Sequence, residues 1–376
     1  MRSTPKGRWR WWASGYSVRR GHLHLRAAHR PPDFLQPSSR SVMRIPLRQM
    51  IDLGRYMRAK KKSGEKYFPL VLMLEPLHAC NLACIGCGRI VEYKDTIRDM
   101  MPLDEALHSA EEAGAPIVSI CGGEPLMYKH IAALTRGLIE DQKRHVMICT
   151  NAILLERFVK QVPPSPYLSF NLHLDGMRET NDRVTDRVGH FDIVVKMIKM
   201  LKEKGYRVQT NTTVFKETSS QELEDMVKYL TSLGVDGMLL SPGYHYQVLQ
   251  NDEEYLRKEE MPAKFFKVRD MANDYKIINT PIYLDYLVGK RDMQCSPWTT
   301  VTRNPQGWKG PCYLITNGHY KTLDEMHAAT DWEYYRTKQD FRCRDCKLHS
   351  GFEGTVALEF GKNLKDSWRM VRHYAA

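Results

Sequence analysis

The 376-residue chain has no uninterrupted run of 18 apolar residues, which excludes membrane-spanning helices. Its best stretch, around Phe68 to Leu77, is broken by Pro69, Glu75 and Pro76. No apolar secretory core precedes the body, and the nine cysteines are odd in number, so a disulfide framework is excluded as an organising principle. Acids are scarce in one place only. Residues 1–42 hold nine Lys+Arg against the single acid Asp33, and so carry +8 of the net +12. The rest is only mildly basic, which removes most of the support for a nucleic-acid partner. The segment is Arg-rich without a helical or strand period. It reads as a disordered or mis-assigned start before Met43, a transit peptide, or a basic anchor.

With 42% apolar and 27% charged residues, the remainder is ordinary globular material with enough length for a sizeable core. An amphipathic helix is expected over Leu47–Lys61, closing on Arg55, Arg58, Lys60, Lys61 and Lys62. Such a helix could lie on a bilayer or pack on the body. Strands are expected at 70–77, 117–121, 146–149, 167–174, 207–214 and 237–241, alternating with helices of 10–14 residues. That alternation predicts a parallel α/β architecture, either a doubly wound sheet or a partial (β/α)6 barrel. The polar candidates all follow strands, the place where α/β barrels put their sites, and this favours the barrel. The chain divides into a leader (1–42), a helix and linker (43–68), the barrel (69–242) and a C-terminal extension (243–376).

The sharpest motif is Cys80-x3-Cys84-x2-Cys87, in the loop after the first strand. Three soft thiolates on one loop suit one metal centre, and three ligands leave a position open for a small molecule. Gly122-Gly123-Glu124-Pro125 follows the second strand, where glycines permit close backbone approach and a carboxylate suits an ammonium. Cys295, Cys312, Cys343 and Cys346 come late, the last pair as C-x2-C. They form a candidate second site for an auxiliary Fe–S cluster or zinc, or are plain structural thiols.

These motifs, over roughly Leu70 to Pro242, resemble the radical SAM superfamily. The resemblance implies a [4Fe–4S] cluster on Cys80, Cys84 and Cys87, with S-adenosylmethionine (SAM) on the fourth iron. It also implies contacts from Gly122, Gly123, Glu124 and Pro125 to the methionine amino group, and ribose or carboxylate contacts from strand ends, with Ser169 and Asn211 as candidates. The residue before the third cysteine is commonly aromatic in the superfamily, whereas this chain has Gly86. The start PLRQMIDLGRYMRAKKKSGEKYFPLVLMLEPLHACNLACIGCGRI and the late Pro297-Trp298…Pro311-Cys312-Tyr313-Leu314 segment further resemble the adenosyl-transferring radical SAM proteins of hopanoid biosynthesis. That resemblance implies addition of the 5′-deoxyadenosyl radical to the terminal alkene of hopene. The partners implied are a low-potential donor such as flavodoxin or ferredoxin, and peripheral contact with the inner face of a membrane from the cytoplasm.

An alkyl radical left by such an addition must gain a hydrogen atom. Cys149, ending the third strand before Thr150-Asn151, is the candidate donor, and Cys121 is the weaker one. Trp298, Trp308, Tyr313, Phe352 and the methionines are expected to furnish an apolar cap. Two alternatives stand beside this reading. One is a radical SAM enzyme on a peptide or cofactor precursor, with an auxiliary cluster in the extension. The other is a non-catalytic zinc-binding interaction protein. The resemblance to the hopanoid-biosynthesis proteins implies a further cysteine after His349, where this chain has Ser350, a departure that counts against a second cluster.

Overall fold

The structure, a computed structural model, describes residues 44–244 and 253–375. Seven parallel strands, β1 (Val71–Leu74), β2 (Ile117–Ile120), β3 (His145–Thr150), β4 (Leu168–His173), β5 (Arg207–Val214), β6 (Gly237–Pro242) and β7 (Thr300–Asn304), carry the architecture. Two antiparallel strands, β8 (Gly307–Pro311) and β9 (Thr316–Tyr320), complete a nine-stranded sheet in the order β6-β5-β4-β3-β2-β1-β7-β8-β9. This is the partial α/β barrel expected from the sequence, with one addition. The extension continues the barrel sheet, because β7 pairs with β1 in parallel from Val71–Thr300 to Leu74–Arg303.

Strand alternation decides what faces where. Even-numbered residues point at the surrounding helices and are sealed: Leu72, Leu74, Val118, Ile120, Ile148, Phe170, Leu172, Val208 and Leu240 are each 0% exposed. Odd-numbered residues point into the lumen, where Val71, Met73, Ile117, Met147, Cys149, Ser169, Asn211, Thr213 and Leu239 are only half-buried. Side chains therefore fill this barrel less completely than a closed eight-stranded one, leaving one cavity at the carboxyl ends of the strands and another at their beginnings.

The helices obey local rules. Leu103–Ala113 starts after Pro102, carries Asp104 and Glu105 in its first turn where the dipole favours them, and stops at Gly114 in the left-handed region. Ser219 caps Ser220–Ser232 by accepting the Glu222 amide at 3.0 Å. The helix expected over residues 130–141 is Ile131–Arg136 followed by a π-turn, Gly137–Asp141. The opening helix Leu47–Lys62 crosses the barrel end where the strands begin. Although amphipathic, it has no buried residue. Among the described residues no helix is long and apolar enough to cross a membrane.

Candidate active site

The β1 loop delivers Cys80, Cys84 and Cys87 to a cavity of about 310 Å³ at the carboxyl ends of the strands. Two lines of backbone hold that loop. Glu124 N–H donates to the Ala79 carbonyl at 2.9 Å and Gly123 N–H to Leu77 at 3.2 Å, while Ile85 N–H reaches the Val184 carbonyl at 2.7 Å. The two glycines are required by this contact. A Cβ on Gly123 would lie 2.0 Å from the Ala79 oxygen, and one on Gly122, at φ +109°, 2.5 Å from the Leu77 oxygen.

Glu124 is 1% exposed, and its carboxylate is engaged within the protein. It accepts from the Thr150 hydroxyl (2.7 Å), the Asn151 amide (2.9 Å) and the Leu126 amide (3.0 Å). Glu124 thus fixes the end of β3 while also lining the cavity, together with the backbone of Gly122 and Gly123. Asn151 Nδ2 in turn donates to Asn81 Oδ1 in the cysteine loop at 2.7 Å. Sequence reasoning left Thr150 and Asn151 as a mere turn. Pro125 is buried as the first residue of a 3-10 turn and does not line the cavity.

Burial pushes the Cys80 thiol up to about 11, and Cys84 upward also. A desolvated thiolate wants a cation beside it, and iron supplies one. Among the described residues no group of three or more His, Cys, Asp or Glu is set to hold a single ion. The three thiols line the same cavity, on one short loop, where they could ligate one cluster.

Lower on the wall, Cys149 Sγ is 3.3 Å from Ser119 Oγ and 3.8 Å from Asn171 Nδ2. Burial raises its pKa, so the sulfur keeps its proton. Cys121 also lines the cavity, beside Gly122, at 6% exposure. Asn171 and Asn211 both line this space, and the buried Oδ1 atom of each has no hydrogen-bond partner. His173 Nε2 sits 2.7 Å from Asp175 Oδ2. Burial pulls the imidazole down, but the carboxylate outweighs it and the pKa is raised. Ser169 is a correction. Its parity is right, but it stands two residues below Asn171, about 6–7 Å down the strand, in a separate cavity.

Gly86 finds its explanation outside the motif. A Cβ there would lie 2.2 Å from the Tyr255 hydroxyl, which donates to the Gly86 carbonyl at 2.6 Å. Tyr255 thus supplies an aromatic ring from 169 residues away. His245 and Tyr246, noted beside Tyr244 in the sequence, lie outside the described residues.

The aromatic cap is corrected too. Trp308 is fully buried, donating to Glu112 at 2.8 Å, and Trp298 packs edge-on to Tyr67 at 4.8 Å. Both are core; only Tyr313 lines the cavity, with the Arg89 guanidinium 4.3 Å over its ring. Phe352 instead lines a second, narrow cavity, whose wall also carries Cys295, Cys312, Cys343, Cys346 and Ser350. The four late thiols therefore share one space, and Gly351 is held to glycine there because a Cβ would lie 2.3 Å from Cys295 Sγ.

Comparison with known proteins agrees with this geometry. Residues 74–230 match the radical SAM superfamily, and residues 238–370 a domain of unknown function, DUF3463. GTP 3',8-cyclase of Clostridium perfringens (strain 13 / Type A) is 24% identical over 249 residues, 62% of this chain and 77% of the relative. A probable GTP 3',8-cyclase of Methanococcus aeolicus is 24% identical over 270 residues, 67% and 88% respectively. The crystal structure of Streptococcus suis SuiB bound to S-adenosylmethionine superposes with a TM-score of 0.60 at 18% identity, covering 85% of this chain and 80% of that one. Native-fold likeness extends to anSMEcpe with bound AdoMet, at a TM-score of 0.56 and 16% identity over 81% and 92% of the two chains.

Proposed function

We propose that this chain, a radical SAM enzyme by its domain at residues 74–230, adds an adenosyl group to the terminal alkene of hopene to give adenosylhopane. Its cofactors are a [4Fe–4S] cluster and SAM. When bound, they supply a 5′-deoxyadenosyl radical on one-electron reduction, and that radical forms the new carbon–carbon bond. The chain's own residues do the rest. Cys80, Cys84 and Cys87 would hold the cluster, and the Gly122–Gly123 backbone, stitched to the same loop, would receive the methionine end of SAM. The partnerless Asn171 and Asn211 oxygens accept from ribose or amine donors.

The observation that carries the addition reading is the Cys149 thiol, neutral, lumen-facing and held by Ser119 and Asn171. Addition leaves a tertiary alkyl radical. Cys149 S–H gives it a hydrogen atom, leaving a thiyl radical that one electron and one proton restore. A flavodoxin or ferredoxin is the proposed electron donor. Hopene arrives by peripheral contact at the inner face of the membrane.

The named relatives suggest a nucleotide substrate, but the cavity argues against one. Among its described lining residues the one guanidinium is Arg89, already ion-paired with Glu75, whereas a triphosphate asks for several cations. A second reading rests on the late cysteines, which suit an auxiliary cluster and a peptide substrate, as for SuiB, which has been solved bound to its precursor peptide SuiA. Iron analysis separates the two: one cluster gives about four irons per chain, two give about eight. Replacing Cys149 by Ser abolishes the saturated adduct but not SAM cleavage if the addition reading holds. Undiminished saturated adduct would remove Cys149 from the mechanism.

A further inference from the structure

Below the proposed SAM site lies a second chamber of about 600 Å³, inside the roughly 300–1,000 Å³ range of small-molecule sites. Its walls are the first residues of the strands, the opening helix and the two C-terminal helices, His349–Glu359 and Leu364–Ala375. They are mostly apolar. Of the polar lining, His145 is paired with Asp52 at 3.0 Å and Arg207 donates to the Arg44 carbonyl.

Three observations point to an occupant. First, the apolar face of the opening helix (Met50, Leu53 and Met57 among its residues) lines this chamber, yet no residue of that helix is buried. Apolar surface left unfilled in this way costs about 25 cal/mol per Å² until something covers it. Second, the chamber adjoins the reaction site: His349 lines both and stands between them, with Nδ1 2.7 Å from Ser241 Oγ. Third, it has a mouth. Leu47, Phe360 and Val371 line it and are also 56%, 48% and 47% exposed. Trp368, 69% exposed, stands on the same C-terminal helix.

We infer that this lower chamber seats the apolar body of the substrate, taken in through the mouth at the barrel end opposite the cysteine loop, with the alkene passing His349 to reach the adenosyl group. This rests on the lipid reading above and adds to it the place and direction of binding. Charge supports a bilayer as the source: the opening helix exposes Arg48, Arg55, Arg58, Lys61 and Lys62, as an anionic surface requires.

The test uses the full chain with two probes, diploptene and the fluorescent polycycle dehydroergosterol. Met147→Trp and Met50→Trp fill the chamber from opposite walls. Each is expected to weaken binding of both probes at least about tenfold, with SAM binding and substrate-free SAM cleavage kept within about twofold. Wild-type affinity in both variants, folded by their thermal midpoints, would overturn the inference. Dehydroergosterol binding that the variants lose, without diploptene binding to the wild type, supports the chamber and removes hopene as substrate. Adenosylhopane formed by both variants at the wild-type rate does the reverse. Should either variant not fold, a photoreactive sterol on the wild type decides. Adducts in residues 47–57 and 145–147 support the chamber, and adducts confined to residues 149–151, 241–244 and 313–314 contradict it.

Discussion

At the scale of single residues, the site is built by close approach and by hydrogen bonds that use up polar atoms. Gly123 leaves no room for a side chain against the Ala79 carbonyl. Gly123→Ala should therefore cost about 1–3 kcal/mol by overpacking, and should lower cluster retention more than global stability. Denaturant unfolding and iron content measure the two effects. Tyr255→Phe removes one hydrogen bond to Gly86 and keeps the ring, while Tyr255→Ala removes both. A rise in KM for SAM with Ala and not with Phe is expected if the ring is what packs on the cofactor. His349 gives a pH signature. Burial holds its pKa down at about 4, below the usual 6.5, so the unfolded chain binds a proton more readily. The stability tied to its neutral form is intact above about 6.5 and is lost as pH falls toward 4. Thermal midpoints should therefore drop more steeply across that window for the wild type than for His349→Asn. Parallel profiles would deny the burial argument.

At the scale of elements, much was legible and the gaps have physical causes. Six strands and most of their helices follow from the apolar pattern and caps, because strands covered by helices on one face keep at least every second residue apolar or sealed. The period-two rule placed Ser169, Asn171 and His173 on one face correctly. Parity says nothing of depth, however, and Ser169 lies in the chamber below the site. The last three strands were not foreseen. Their Gly, Pro and Trp residues in Gly307–Pro311 read as a loop, and only pairing to β1 through β7 makes them a sheet. Motif residues close in sequence, such as Cys80, Cys84 and Cys87, were plain to read. Tyr255 was not, since nothing local couples it to Gly86.

At the scale of the whole molecule, two sets of thiols occupy two cavities on either side of Tyr244 and Tyr313, which line both. Removing Cys343 and Cys346 together discriminates their roles. If the late set holds a cluster, iron falls from about eight to about four per chain and the first cluster's SAM chemistry persists. If these are structural thiols, iron content is unchanged and only stability falls.

The central claim, adenosyl addition to an apolar alkene, is tested most directly by anaerobic reconstitution followed by SAM, a strong reductant and diploptene, with products read by mass spectrometry. The account predicts a SAM-dependent adduct with the mass of adenosylhopane that disappears when Cys80, Cys84 or Cys87 is replaced by Ala. Free 5′-deoxyadenosine without any adduct would contradict it, retaining the radical chemistry and discarding the substrate.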